Sequence, residues 1–291
     1  PRIQYAQTTD GVSIAFYTLG EGMPLVHMPW IPWSHVQLEW QIPEGRAWCE
    51  DLAEKRKLVR YDCRGCGLSE RDVKDFSLDA MVLDLEAVVD HLKLERFALF
   101  GGHFAGLVAV AFAARNPERV SHLVLWCSFP RGSDLLESPQ IQGLVGLIDK
   151  DWELYSEAVA HARLGWAEGE LASQFASFIR DSITPEALQL LLKSVGGFDV
   201  TALLPRVTPA TLVLHRRQLP LPDVGLARGI ASRIPDARLI VLEGTSGVPV
   251  VGDVDAVLTA IDEFLGQGEE AAAGAEPPEA GAFRTVLFTD V

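Results

Sequence analysis

Short apolar runs alternate with segments of helical period along most of the 291-residue chain. The runs Arg2–Gln7 and Val12–Tyr17 predict two strands joined by the turn Thr8-Thr-Asp-Gly11, and Pro24–Met28 predicts a third. A tryptophan-rich loop, a helix at Arg46–Glu54 and a strand at Lys57–Tyr61 follow. In 78–92 the residues Met81, Leu83, Leu85, Val88, Val89 and Leu92 form a broad apolar stripe, the mark of a helix with one buried face. The strand Phe97–Phe100 runs into an alanine-rich helix that ends at Asn116-Pro117, and Val120–Trp126 is the next strand. Residues 131–205 break the alternation, being helical, aromatic and without strand candidates. It resumes with a strand at Thr211–His215, a helix at Gly225–Arg233, a strand at Arg238–Leu242 and a helix at Asp253–Leu265. Strands alternating with helices imply a mostly parallel sheet covered on both faces. The helical insertion is then expected as a lid over the carboxyl ends of the strands, where open α/β sheets bind ligands.

Composition narrows the partners. A net charge of −15 and 48% hydrophobic residues describe an acidic protein with a substantial core. Such a charge offers no basic stripe to neutralise phosphates, so nucleic acid and anionic membrane surfaces are excluded as partners. No apolar run reaches membrane-spanning length and the start of the chain lacks a signal-like segment, so a cytoplasmic location is expected. Cys63-Arg-Gly-Cys66 has redox or zinc spacing, but no second ligand pair accompanies it. No cofactor is called for. After residue 265 the composition shifts: 266–282 is Glu/Ala/Gly/Pro-rich and reads as a flexible acidic linker, and 283–291 as the first strand of a further domain.

The junction after the strand at 97–100 carries the densest chemical signal. Phe100-Gly-Gly-His-Phe-Ala-Gly106 places small residues, Gly101 and Ala105, two before and two after His103. This is the spacing of a nucleophile elbow, in which a side chain sits on a strained turn at a helix N-terminus. With Asp62-Cys-Arg-Gly-Cys-Gly-Leu-Ser69 and Asn116-Pro-Glu-Arg-Val120, it makes residues 1–265 resemble the α/β-hydrolase superfamily. That resemblance implies an eight-stranded, mostly parallel sheet with helices on both faces and a helical lid at about 131–205. Separately, Arg284-Thr-Val-Leu-Phe-Thr-Asp-Val291 resembles the opening strand of class III nucleotide cyclases, where Asp290 would match a metal ligand. Bacterial adenylate cyclases with an N-terminal α/β-hydrolase domain combine the two parts in this order.

The hydrolase resemblance also implies a serine, an acid and a histidine in that order. The elbow carries His103, the acid position falls on Leu219 or Gln218, and the histidine position falls on Gly247; no histidine follows His215. Asp223, the nearest carboxylate, reads as a helix N-cap. Trp30 and Pro29 stand where a small residue usually gives an oxyanion-binding N–H, and Pro29 has none to give. The Phe104 N–H remains as a second donor. His27 and His35 are the histidines placed near the pocket mouth, and Trp30, Trp33, Trp40, Trp126, Trp152 and Trp166 are candidates for an apolar cavity.

The leading expectation is therefore a catalytically degenerate hydrolase domain that senses a small apolar ligand under its lid and regulates a C-terminal cyclase domain in cis. Its ligand contacts would be Trp30, His103, Phe104, Ser128 and Gly247. One alternative is an esterase- or lipase-like hydrolase with a rearranged site using His103, Ser128 or Ser246. A second is a structural module that forms a homodimer.

Overall fold

The computed structural model describes residues 1–164 and 169–273. Eight strands form one sheet: β1 (Gln4–Gln7), β2 (Ser13–Leu19), β3 (Pro24–His27), β4 (Lys57–Tyr61), β5 (Phe97–Gly102), β6 (Val120–Trp126), β7 (Ala210–Arg216) and β8 (Ala237–Leu242). Their order is β1-β2-β4-β3-β5-β6-β7-β8, antiparallel for the pairs β1–β2 and β2–β4 and parallel elsewhere. This is the mostly parallel α/β-hydrolase-type sheet expected. The strands begin and end within a few residues of the sequence reading, because fully buried parallel strands are continuous apolar runs. β5 is buried along its whole length.

The helices are α1 (Val36–Glu39), α2 (Pro43–Ala53), α3 (Leu78–His91), α4 (Phe104–Arg115), α5 (Ser133–Leu136), α6 (Pro139–Val145), α7 (Trp152–Leu164), α8 (Gly169–Ser182), α9 (Pro185–Gly196), α10 (Val224–Ala231) and α11 (Val254–Ala273). On one face of the sheet Met81 and Leu85 of α3, Leu107 of α4 and Ile230 of α10 share a core. On the other, Trp48 and Leu52 of α2 pack with Ile261 and Leu265 of α11. Helices α5–α9 form the cap between β6 and β7, where the lid was expected. A small cluster of Ala160, Leu164, Ala172 and Ala176 joins α7 to α8, with Val248 and Val251 of the base packed against it.

Helix α11 continues to Ala273, past the Gly266 at which a flexible linker was expected. The Glu and Ala residues there are good helix formers and extend the helix through two glycines. The segment 283–291, with Asp290, lies outside the described residues. Among the described residues no helix is long and apolar enough to cross a membrane.

One buried turn fixes the loop beside the site. The Asp62 carboxylate accepts from the Val36 and Leu68 amides, both at 2.9 Å. It needs glycine at 67, where a Cβ would lie 2.2 Å from the carboxylate oxygen. The bond to Val36 holds the loop that carries Trp30 and Trp33. Burial outweighs these two donors and pushes the Asp62 carboxyl up to about 7.

Candidate functional site

The β5–α4 junction has the geometry of an elbow. His103 sits at φ 49°, ψ −122°, a left-handed conformation that costs a non-glycine residue roughly 1–3 kcal/mol. Strand and helix approach so closely that a Cβ on Gly101 would lie 2.9 Å from both the Ala105 carbonyl oxygen and the Ala109 methyl. On Gly106 it would lie 2.0 Å from Ser128 Oγ. Trp30 covers the junction from outside, its ring 2.4 Å from the place of a Cβ on Gly102.

From this turn the imidazole reaches the loop after β8. His103 Nε2 lies 3.0 Å from the Gly247 carbonyl oxygen, which also accepts from Trp126 Nε1 at 2.7 Å. A carbonyl can only accept, so the neutral ring carries its proton on Nε2. Nδ1 then presents a lone pair, and it is buried without a partner. Desolvation, with the nearby Arg163 charge second, pulls the imidazole down to about 3, so it is neutral at pH 7. The family's histidine position is filled by this same ring: a Cβ on Gly247 would lie 2.9 Å from His103 Cε1 and 3.5 Å from a Leu219 methyl.

His103 and Gly247 line a cavity between the cap and the base, with room for water-sized molecules of about 90 Å³. Its walls are mainly apolar, including Trp30, Trp33, Trp48, Leu164, Phe175 and Phe178. Three predicted contacts, Trp30, His103 and Gly247, thus meet at one place. Two others do not line it. The Phe104 ring packs edge-on against Phe129, 5.1 Å between centroids. Ser128 Oγ points back to the carbonyls of Trp126 and Gly101 at 3.3 and 3.4 Å, wedged against Gly106. Ser246 Oγ donates to the Arg163 carbonyl at 3.1 Å and accepts from the Val248 amide, tying the β8 loop to α7. Neither serine has a basic side chain as a hydrogen-bond partner.

The other candidates have structural posts. His35 Nδ1 accepts from the Leu38 amide as the cap of α1. His27 is fully buried and accepts from Trp48 Nε1 at 3.1 Å. Asp223 caps α10 through the Gly225 amide at 2.7 Å. Trp40 packs edge-on against Tyr17 and Trp152 stacks on Tyr155; Trp166 lies outside the described residues. Cys63 and Cys66 are buried and free, and among the described residues no three His, Cys, Asp or Glu side chains gather as a metal site.

Sequence reasoning missed Glu39, Trp48 and Arg163, all in the cavity wall. Both Glu39 carboxylate oxygens accept from Nη2 of the buried Arg60, Oε1 at 2.7 Å and Oε2 at 2.5 Å. Arg163 belongs to the last turn of α7, where its charge reads as an ordinary complement to the helix dipole. Only the cap's fold over Trp33 turns it inward.

The sequence model of the α/β hydrolase fold matches residues 38–207. A pimeloyl-[acyl-carrier protein] methyl ester esterase of Nitrosomonas europaea is 26% identical over 228 residues, 73% of this chain and 86% of that protein. A putative carbamate hydrolase RutD of Pseudomonas savastanoi pv. phaseolicola is 29% identical over 220 residues, 68% of this chain and 80% of that protein. Among solved structures, an esterase (EaEST) from Exiguobacterium antarcticum superimposes with a TM-score of 0.79 at 19% identity, covering 90% of this chain and 99% of that one. At that identity the superposition speaks for the fold alone. The sequence matches correct the leading expectation of a catalytically degenerate regulator in a cyclase and in cAMP signalling. The relatives found along two thirds or more of the chain are named as an esterase and a hydrolase, so the hydrolase alternative takes its place.

Proposed function

The chain belongs to the α/β-hydrolase fold family, and on that premise we propose that it hydrolyses small, mostly apolar carboxylic esters in the cavity under the cap, with His103 as the base. The observation that carries this reading is the His103 imidazole itself. It is held on a left-handed elbow and fixed through Nε2 to Gly247, its residue lines an apolar cavity, and its buried Nδ1 has no partner.

In this reading Nδ1 takes a proton from a water as the water oxygen bonds to the ester carbonyl carbon. The carbon–oxygen bond to the alcohol then breaks, and the proton passes to the departing alkoxide. A base held near 3 is wholly unprotonated at neutral pH, but it is weak. Slow turnover follows, level between pH 5 and 8 once the hydroxide reaction is subtracted.

Release of nitrophenol from p-nitrophenyl acetate and butyrate is the test. The expected outcome is turnover above buffer that falls about 10²-fold or more in His103→Ala, the usual contribution of a positioned base. No turnover above buffer, or equal turnover in the variant, refutes the proposal.

A further inference from the structure

Arg163 is the feature of the cavity that this reading leaves without a task. Its guanidinium stacks over the Trp33 ring, 4.8 Å from the centroid, and it lines the same cavity as His103. Among the described residues no carboxylate pairs with it. Burial pulls its pKa down to about 10, which still leaves it charged at neutral pH. The side chain is half-buried, so part of its hydration is lost with no ion pair among the described residues to replace it.

A second donor stands beside it. Trp33 is 5% exposed, lines the same cavity, and its indole N–H is buried without an acceptor. Arg163 and Trp33 can only donate hydrogen bonds. A cation and, beside it, an indole N–H without an acceptor, in an otherwise apolar wall, suit a ligand rich in acceptors. The acidic side chains of that wall do not fill the role: Glu39 is neutralised by Arg60, and Glu44 is exposed. The Arg163 main chain is held by Ser246 Oγ, so the cation has a fixed stem.

We propose that the cavity binds a small apolar monocarboxylate, its carboxylate held by the Arg163 guanidinium and the Trp33 indole N–H and its hydrocarbon body against the tryptophan and phenylalanine walls. Charge-assisted contacts from a guanidinium are among the strongest a carboxylate can make. The inference rests on the cavity being the substrate site, since a carboxylate is the acid half of an ester. It adds the class of acid and the residue that selects it.

Calorimetric titration at pH 7.5 with butyrate and hexanoate, against butan-1-ol and hexan-1-ol, tests this without any turnover. Each acid is expected to bind at least tenfold more tightly than its alcohol. Arg163→Met should close that gap and leave alcohol affinity within about threefold. Arg163→Gln, similar in shape and uncharged, is expected to do the same and serves if the first variant does not fold. Equal affinity for acid and alcohol in the unaltered chain, or a gap that survives loss of the charge, overturns the proposal. If the acid preference holds while ester cleavage fails, the hydrolase reading falls and the carboxylate site stands. Ester cleavage without any acid preference removes the carboxylate site and leaves the hydrolase reading in place.

Discussion

A single methyl group added at Gly247 measures how closely the elbow imidazole and the β8 loop are matched. In Gly247→Ala the new carbon would start 2.9 Å from His103 Cε1 and 3.1 Å from Nε2. Carbon atoms rest at about 3.5–4.0 Å, so the ring must retreat by roughly half an ångström or more. That retreat stretches the 3.0 Å bond from Nε2 to the Gly247 carbonyl. Overpacking of this kind costs about 1–3 kcal/mol and a weakened hydrogen bond about 1 kcal/mol more, for an expected loss of about 2–4 kcal/mol. In a His103→Ala background the ring is gone. Gly247 has no left-handed backbone to resist a side chain, and its carbonyl keeps the Trp126 bond. There the same methyl group should cost less than about 0.5 kcal/mol, since a compatible Gly→Ala change also restrains the unfolded chain. Urea unfolding of the four proteins should therefore give a coupling energy of about 2–4 kcal/mol. An equal cost of Gly247→Ala in both backgrounds would refute the account of 103 and 247 as one filled space.

Acid should weaken the fold through His103. Between pH 6.5 and about 3 the unfolded imidazole binds a proton that the folded one refuses, so stability falls as pH drops below 6.5. By pH 5 this amounts to about 2 kcal/mol, and His103→Gln should remove that part of the slope in urea melts at pH 7 and 5. His27, His35 and His215 are depressed by burial too, and their share should remain in the variant. Glu39→Ala strands the buried Arg60 guanidinium and is expected to cost about 3–5 kcal/mol. A loss below about 1 kcal/mol in the same unfolding assay would mean that water reaches Arg60.

The sheet was legible because its signals are local. A run such as Phe97–Phe100 can only be buried, and the glycines around His103 mark a turn whatever the rest of the chain does. The four cavity residues foreseen, Trp30, Trp33, His103 and Gly247, come from loops at strand ends, where the order of strands alone brings them together. Ser128 does not line the cavity because nearness to a strand end does not give direction, and its hydroxyl turns to the Gly101 and Trp126 carbonyls. Arg163, Trp48 and Glu39 lie on helices whose inward faces depend on how the cap, α1 and α2 settle over the sheet. No periodicity within those helices records that docking. Helix α11 runs on into the acidic stretch after 265 as far as Ala273, since Glu and Ala serve a linker and a helix equally well.

The backbone at residue 103 bears on why an imidazole stands there at all. The turn between β5 and α4 requires a positive φ, and glycine adopts it without the penalty any other residue incurs. Every folded molecule therefore forgoes roughly 1–3 kcal/mol, out of a net stability of about 5–15 kcal/mol for a typical domain, by carrying a side chain at this point. A turn needed only to join a strand to a helix would be more robust as glycine. Heat tolerance is thus given up at the position where the chain sets an imidazole in the cavity wall.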